Sequence, residues 1–113
     1  MIKIEEAERT PLKYTVADRS QIPEEAAKLI EEKKEKEFQM VYQKGEDLYL
    51  IKGYGRQMSG GYSIQVTDLS ASVNAVFFET KLIGPTEEVQ GGEPSYPYIV
   101  VKTEYRDVPV QFQ

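Results

Sequence analysis

From Leu12 the chain alternates, with Leu12, Tyr14 and Val16 interleaved with Lys13, Thr15 and Ala17. That period of two predicts a half-buried strand. Residues 18–21 break it, and the spacing then lengthens: Ile22, Ala26, Leu29 and Ile30 fall on one face of a helix expected from about 23 to 37. Pro23 suits a first helical turn, where its missing N–H costs nothing, and Glu24 and Glu25 sit well against the positive N-terminal dipole. Beyond Ile30 the pattern turns polar, with Glu31, Glu32, Lys33, Lys34, Glu35 and Lys36 in succession. The second half of this helix is therefore expected to be a solvated surface with opposite charges at i,i+4.

The rest of the chain has the period of strands. Residues 38–42 and 47–52 are two β-rich runs joined by a turn containing Gly45, which predicts a hairpin. In 62–69, Tyr62, Ile64 and Val66 share one face and Ser63, Gln65 and Thr67 the other. A strand over 73–82 follows a short turn at 70–72, and 98–103 supplies another. In the tail, Val108, Val110 and Phe112 alternate around Pro109, which confines that segment to a sheet edge. One early helix followed by consecutive strands predicts an α+β domain: a single N-terminal helix packed on a curled, mostly antiparallel β-sheet, partly barrel- or sandwich-like. The 113 residues suit one domain, with 1–10, charged and poor in apolar residues, as a mobile lead-in.

Composition narrows the chemistry. There is no His and no Cys, so the commonest general base, the thiol nucleophile and the soft metal ligands are missing. Paired carboxylates remain, as Glu24-Glu25 and Glu87-Glu88, but adjacent acids at a helix start or in a loop are ordinarily just solvated. No cofactor motif and no spaced oxygen-ligand loop for calcium occurs, so neither cofactor nor metal is expected. A net charge of −5 is the wrong sign for neutralising phosphates, which argues against nucleic acid as partner. No apolar run approaches the roughly 20 residues of a membrane span, and residues 1–10 lack the apolar core of a signal peptide.

Two longer connections, 52–61 and 83–97, collect most of the glycines, and such loops are where binding residues concentrate. Gly53, Gly55, Gly60 and Gly61 around Arg56 superficially resemble a phosphate cradle, but no Lys-Ser/Thr follows Gly61 and a strand, not a helix, comes next. Positive φ and close backbone approach at a strand crossing are the plainer explanation. Tyr54, Tyr62, Tyr96 and Tyr98 lie near these loops, and two roles for them are open: recognition of another protein, or packing of sheet faces.

Residues 55–64 read Gly-Arg-Gln-Met-Ser-Gly-Gly-Tyr-Ser-Ile, and 95–102 read Ser-Tyr-Pro-Tyr-Ile-Val-Val-Lys, with Glu79-Thr80 and Gly84-Pro85 between them. These motifs resemble the G-x-x-x-T/S-G-G-Y-x-I and T/S-Y-P-Y signatures of the PrcB C-terminal domain family, named for a subunit of a bacterial surface protease complex. Ser59 stands where Thr is more common. The resemblance covers about 48–103 and leaves out the helix and first strand. It implies one PrcB-like domain over 1–113: a non-catalytic, extracytoplasmic accessory module that stabilises or assists a partner protease. It implies too that the chain is secreted or lipid-anchored, the signal or anchor not being in this sequence. The partner-binding candidates are Tyr54, Arg56, Ser59, Gly60, Gly61, Tyr62, Tyr96, Pro97 and Tyr98. A structural domain with no loop-mediated partner, or a small domain resembling a protease inhibitor, is the alternative.

Overall fold

A computed structural model describes residues 8–86 and 92–113. Glu87-Glu88 and residues 1–7 of the expected lead-in lie outside the described residues. The architecture is mostly β, with two four-stranded sheets and one short helix, and it is not a closed barrel. The strands are β1 (Thr10–Pro11), β2 (Tyr14–Val16), β3 (Glu37–Lys44), β4 (Asp47–Tyr54), β5 (Ser63–Ala71), β6 (Val76–Ile83), β7 (Tyr98–Glu104) and β8 (Val110–Phe112). A 3-10 turn (Arg19–Gln21) and the helix α1 (Glu24–Lys33) separate β2 from β3. The first sheet has the order β1-β5-β6-β8 and the second β2-β7-β4-β3; all pairs are antiparallel except β6 with β8.

Alternation along β4 and β7 decides the layering. Leu48, Leu50, Ile99 and Val101 meet Leu69, Ala71, Val76 and Phe78 of the first sheet in one buried cluster. Tyr49, Ile51 and Val100 point the other way, to Ala26 and Ile30 of α1. Both faces of these strands are covered, which is why their sequences run almost continuously apolar. Of the curled, barrel- or sandwich-like sheet expected from sequence, the structure has the sandwich form: two sheets, with α1 laid on the outside of the second.

Other expectations need correction. The predicted strand at 12–17 is divided between the sheets: the Leu12 N–H donates to Leu69 O of β5, continuing the Thr10–Pro11 pairing, whereas Tyr14 to Val16 pair with β7 in the other sheet. As an edge strand, β2 is exposed instead of half-buried, and Val16 is 55% exposed. The end of the lead-in is docked, since Thr10 pairs with Ala71 and the Arg9 guanidinium sits 3.6 Å above the Phe77 ring. The helix stops at Lys33, not near 37, because nothing apolar follows Ile30 to bury and tertiary packing supplies most helical stability. Leu29 stays exposed, one step round the helix from the Ala26 and Ile30 stripe. Val73 lies in the β5–β6 turn, 83% exposed, because β5 continues to Ala71.

The β3–β4 hairpin forms as predicted, with Gly45 at φ 61° in the first position of a two-residue turn, the II′ arrangement. Strand β5 alternates as expected up to a bulge between Val66 and Asp68. The segment after Pro109 forms the edge strand β8.

Candidate functional site

Strand β4 ends at Tyr54, and Gly55 turns the chain with φ 76°. A Cβ there would lie 3.0 Å from the Glu37 nitrogen and 3.1 Å from the Lys36 carbonyl carbon, so the loop runs against the backbone that follows α1. The Arg56 N–H then donates to Glu35 O at 3.2 Å. Gln57 and Ser95 form an antiparallel bridge, with N–H to O distances of 2.8 and 3.0 Å. The Gln57 amide donates to Tyr54 O at 3.0 Å, and the Ser95 hydroxyl to Ser59 O at 2.6 Å. Farther along, Gly61 at φ 85° places its α-carbon against Pro85, and the Tyr62 ring lies beside Gly84. Two loops far apart in sequence and the end of α1 therefore form one hydrogen-bonded unit at one end of the sandwich.

The nine candidate residues divide within this unit. The Tyr54 hydroxyl shares a hydrogen bond with the Thr80 hydroxyl of the first sheet, and its N–H donates to Pro97 O at 3.0 Å. Tyr98 packs in the layer between α1 and the second sheet, and Tyr62 is half-buried. These three tyrosines, with Pro97, fasten the loops to the sheets. Gly61 meets Pro85, whereas a Cβ at Gly60 would meet nothing within 4 Å. The Ser59 hydroxyl donates to Gly60 O at 3.2 Å. Arg56 is exposed, and Tyr96 is half-buried with the Lys34 ammonium 4.9 Å above its ring. The Tyr96–Pro97 peptide is trans.

Beside Tyr96 a cleft of about 630 Å³ opens between α1 and residues 95–98, lined also by Arg19, Ile22, Ile30, Glu31 and Lys34. A shallower one of about 420 Å³ continues it along Val16, Pro97 and Ile99. Glu31 takes Lys34 at 2.6 Å, and that hydrogen bond holds the ammonium pKa above its ordinary value. Among the described residues, Arg19 and Arg56 have no carboxylate within ion-pair distance. The cleft and the adjoining loop bring together groups suited to recognition: the guanidinium forks of Arg19 and Arg56 for carboxylates, the Tyr96 face and an apolar floor of Ile22 and Ile30. Ser59 and Ser95 both donate to main-chain carbonyls. Of the paired carboxylates, Glu25 accepts from the Tyr42 hydroxyl at 3.2 Å and Glu24 pairs with Lys28 at 3.9 Å, both on the helix surface.

The sequence pattern passed over Met58, 77% exposed at the tip of the first loop, and the cations Arg19 and Lys34. A lone apolar residue in a glycine-rich loop was the available signal for Met58. Nothing local marks Arg19 and Lys34, which the fold alone brings beside Tyr96.

The sequence model described as PrcB C-terminal matches residues 48–104, just over half of the chain. The chain belongs to the PrcB C-terminal family. Its family segment runs from β4 through β7, and these are the four inner strands of the two sheets. The edges β1, β2, β3 and β8, and α1 with them, lie outside it. The PrcB segment thus comprises the facing halves of the sandwich and both loops of the zipped unit, and what surrounds it is the four edge strands and a covering helix. No curated protein and no solved structure matches the chain.

Proposed function

We propose that this PrcB C-terminal domain is a non-catalytic accessory module that binds another protein through the end formed by residues 55–60 and 95–97. The observation that carries the reading is the exposure of Arg56 and Met58, with the half-buried Tyr96 ring beside them, on loops held rigid by the Gln57–Ser95 bridge. Preorganised loops lose little entropy on binding, and aromatic and arginine side chains dominate binding energies. The family's name supports a protease complex as the setting, with an extracytoplasmic protease as the partner class. Secretion or lipid anchoring of the full protein belongs to the same proposal.

Capture from an envelope extract of the native host tests it. Wild-type domain is expected to retain a protease that an Arg56→Ala/Tyr96→Ala double variant loses while keeping its circular dichroism. Equal retention by both would sink the loop assignment. A second reading is favoured by the inward-facing Tyr54, Tyr62 and Tyr98: the family motifs serve the fold alone. It predicts that no surface variant at 56, 58 or 96 alters capture. Loss of proteolysis by the captured enzyme when the domain is added would instead mark an inhibitor acting through the Met58 tip.

A further inference from the structure

Strand β3 is an eight-residue edge, in register with β4 from Glu37 to Lys44 without a bulge. Long edges are ordinarily blunted by proline, a bulge or an inward charge, because their free N–H and C=O groups template further pairing. Here the six residues between Glu37 and Lys44, Phe-Gln-Met-Val-Tyr-Gln, include neither proline nor charge. The other three sheet edges, β1, β2 and β8, are two or three residues long.

The hairpin fixes which backbone groups are free. Lys44 and Asp47 flank the two-residue turn and form a hydrogen-bonded pair, so Phe38, Met40 and Tyr42 also bond toward β4. Tyr54 N–H to Pro97 O and Tyr105 N–H to Glu46 O agree with this alternation, since both place the even residues of β4 toward β7. Gln39, Val41 and Gln43 consequently turn their N–H and C=O groups outward. Their side chains are exposed too: Val41 is 44% exposed although Leu50, across from it, is fully buried, because the first sheet covers β4 and stops short of β3.

We propose that β3 pairs antiparallel with β3 of a second copy, about a two-fold axis at Val41, to form one continuous eight-stranded sheet. The outward-facing residues are a palindrome, Gln39-x-Val41-x-Gln43. Antiparallel pairing about Val41 sets Gln39 opposite Gln43, Val41 opposite Val41 and Gln43 opposite Gln39. Each pair joins outward-bonding residues whose side chains share a face, as a two-fold perpendicular to the sheet requires. Facing glutamines hydrogen-bond across the seam even with the Gln43 amide donating to Gly45 O at 3.1 Å, since its oxygen remains free. On the helix side Met40 meets Tyr42, and Phe38 meets the Lys44 ammonium. The strand ends also favour this direction: in-register parallel pairing would set Glu37 beside Glu37 and Lys44 beside Lys44, whereas antiparallel pairing keeps these like charges at opposite ends of the seam. A one-residue slip would oppose outward-bonding with inward-bonding residues and form no ladder.

Mass measurement by light scattering across a wide concentration range tests the proposal, with two variants. Wild type is expected to approach twice the chain mass as concentration rises. Val41→Pro removes only an outward N–H and leaves the hairpin bonds in place. It should remain monomeric, with unchanged circular dichroism. Val41→Lys sets two ammonium groups across the two-fold and should also halve the mass, which keeps the test decisive if the proline variant misfolds. A wild type monomeric throughout, or a dimer that survives Val41→Lys, overturns the proposal.

Discussion

Gly53 offers the sharpest energetic prediction. It faces Phe38 across the β3–β4 hairpin, and the ring lies over it so closely that a Cβ at 53 would overlap three ring carbons, Cε1, Cδ1 and Cζ. Gly53→Ala must therefore push the ring out of the layer beneath α1, an overpacking cost of about 1–3 kcal/mol. Against this stands the gain from replacing glycine by alanine within a strand, about 0.5–1 kcal/mol. The net expectation is a loss of about 0–2.5 kcal/mol, centred near 1. Phe38→Ala alone should cost about 1–2 kcal/mol, somewhat less than for a fully buried ring, because the ring keeps part of its surface in solvent. With the ring gone the obstruction is gone, and Gly53→Ala should then stabilise by about 0.5–1 kcal/mol. Urea denaturation of the wild type, both single variants and the double variant measures the cycle. The sign of Gly53→Ala should reverse between backgrounds. An equal loss in both would show that the strain lies in the backbone and not under the ring.

Other expectations follow from the loop unit and the 3-10 turn. Gly61→Val forces a β-branched residue into φ 85° against Pro85 and should cost about 1–3 kcal/mol, read as a lowered urea midpoint. Ser95→Ala deletes the hydroxyl donated to Ser59 O and should cost about 1 kcal/mol, with faster amide exchange at 57–60 and unchanged exchange in β6. Asp18 caps the 3-10 turn; the Ser20 hydroxyl above all holds its carboxyl below the ordinary aspartate value, desolvation opposes it, and the Ser20 and Gln21 N–H groups add to the lowering. A depressed folded pKa means stability that is present above the unfolded value and is lost as pH falls through the folded one. The stability gap between wild type and Asp18→Ala should accordingly be constant near neutrality and shrink in acid; a gap independent of pH would contradict the capping role.

Much of the fold is legible in the chain because its cues are local. Gly45 announces the hairpin, Pro109 the edge, and the unbroken apolar run of β4 a strand covered on both faces. The two-sheet split is not local: nothing at Leu12 and Lys13 tells that the chain leaves one sheet for the other, since Pro11 and Tyr14 both satisfy strand geometry. The helix end is not legible because charged residues have good helix propensity, yet that stretch buries nothing. At the site the tyrosine roles stay open in the sequence, because parity names a residue's face and both faces of β4 and β7 are covered. Tyr54 shares a side with Leu48 and Leu50, and Tyr98 shares one with Val100, so both are drawn into packing. Only the tertiary structure brings Lys34 to Tyr96 and Ser95 to Ser59, pairs separated by 62 and 36 positions in the chain.

Photo-crosslinking from two matched positions tests the protein-binding reading most directly. Met58 and Val73 are both strongly exposed apolar residues, one on the loop unit and the other at the β5–β6 turn on the far end of the first sheet. With a photoreactive residue at each site in turn, expressed in the native host, position 58 should yield a discrete crosslinked protein and position 73 none. A crosslink of equal yield from both positions, or from 73 alone, would contradict recognition through the zipped loops.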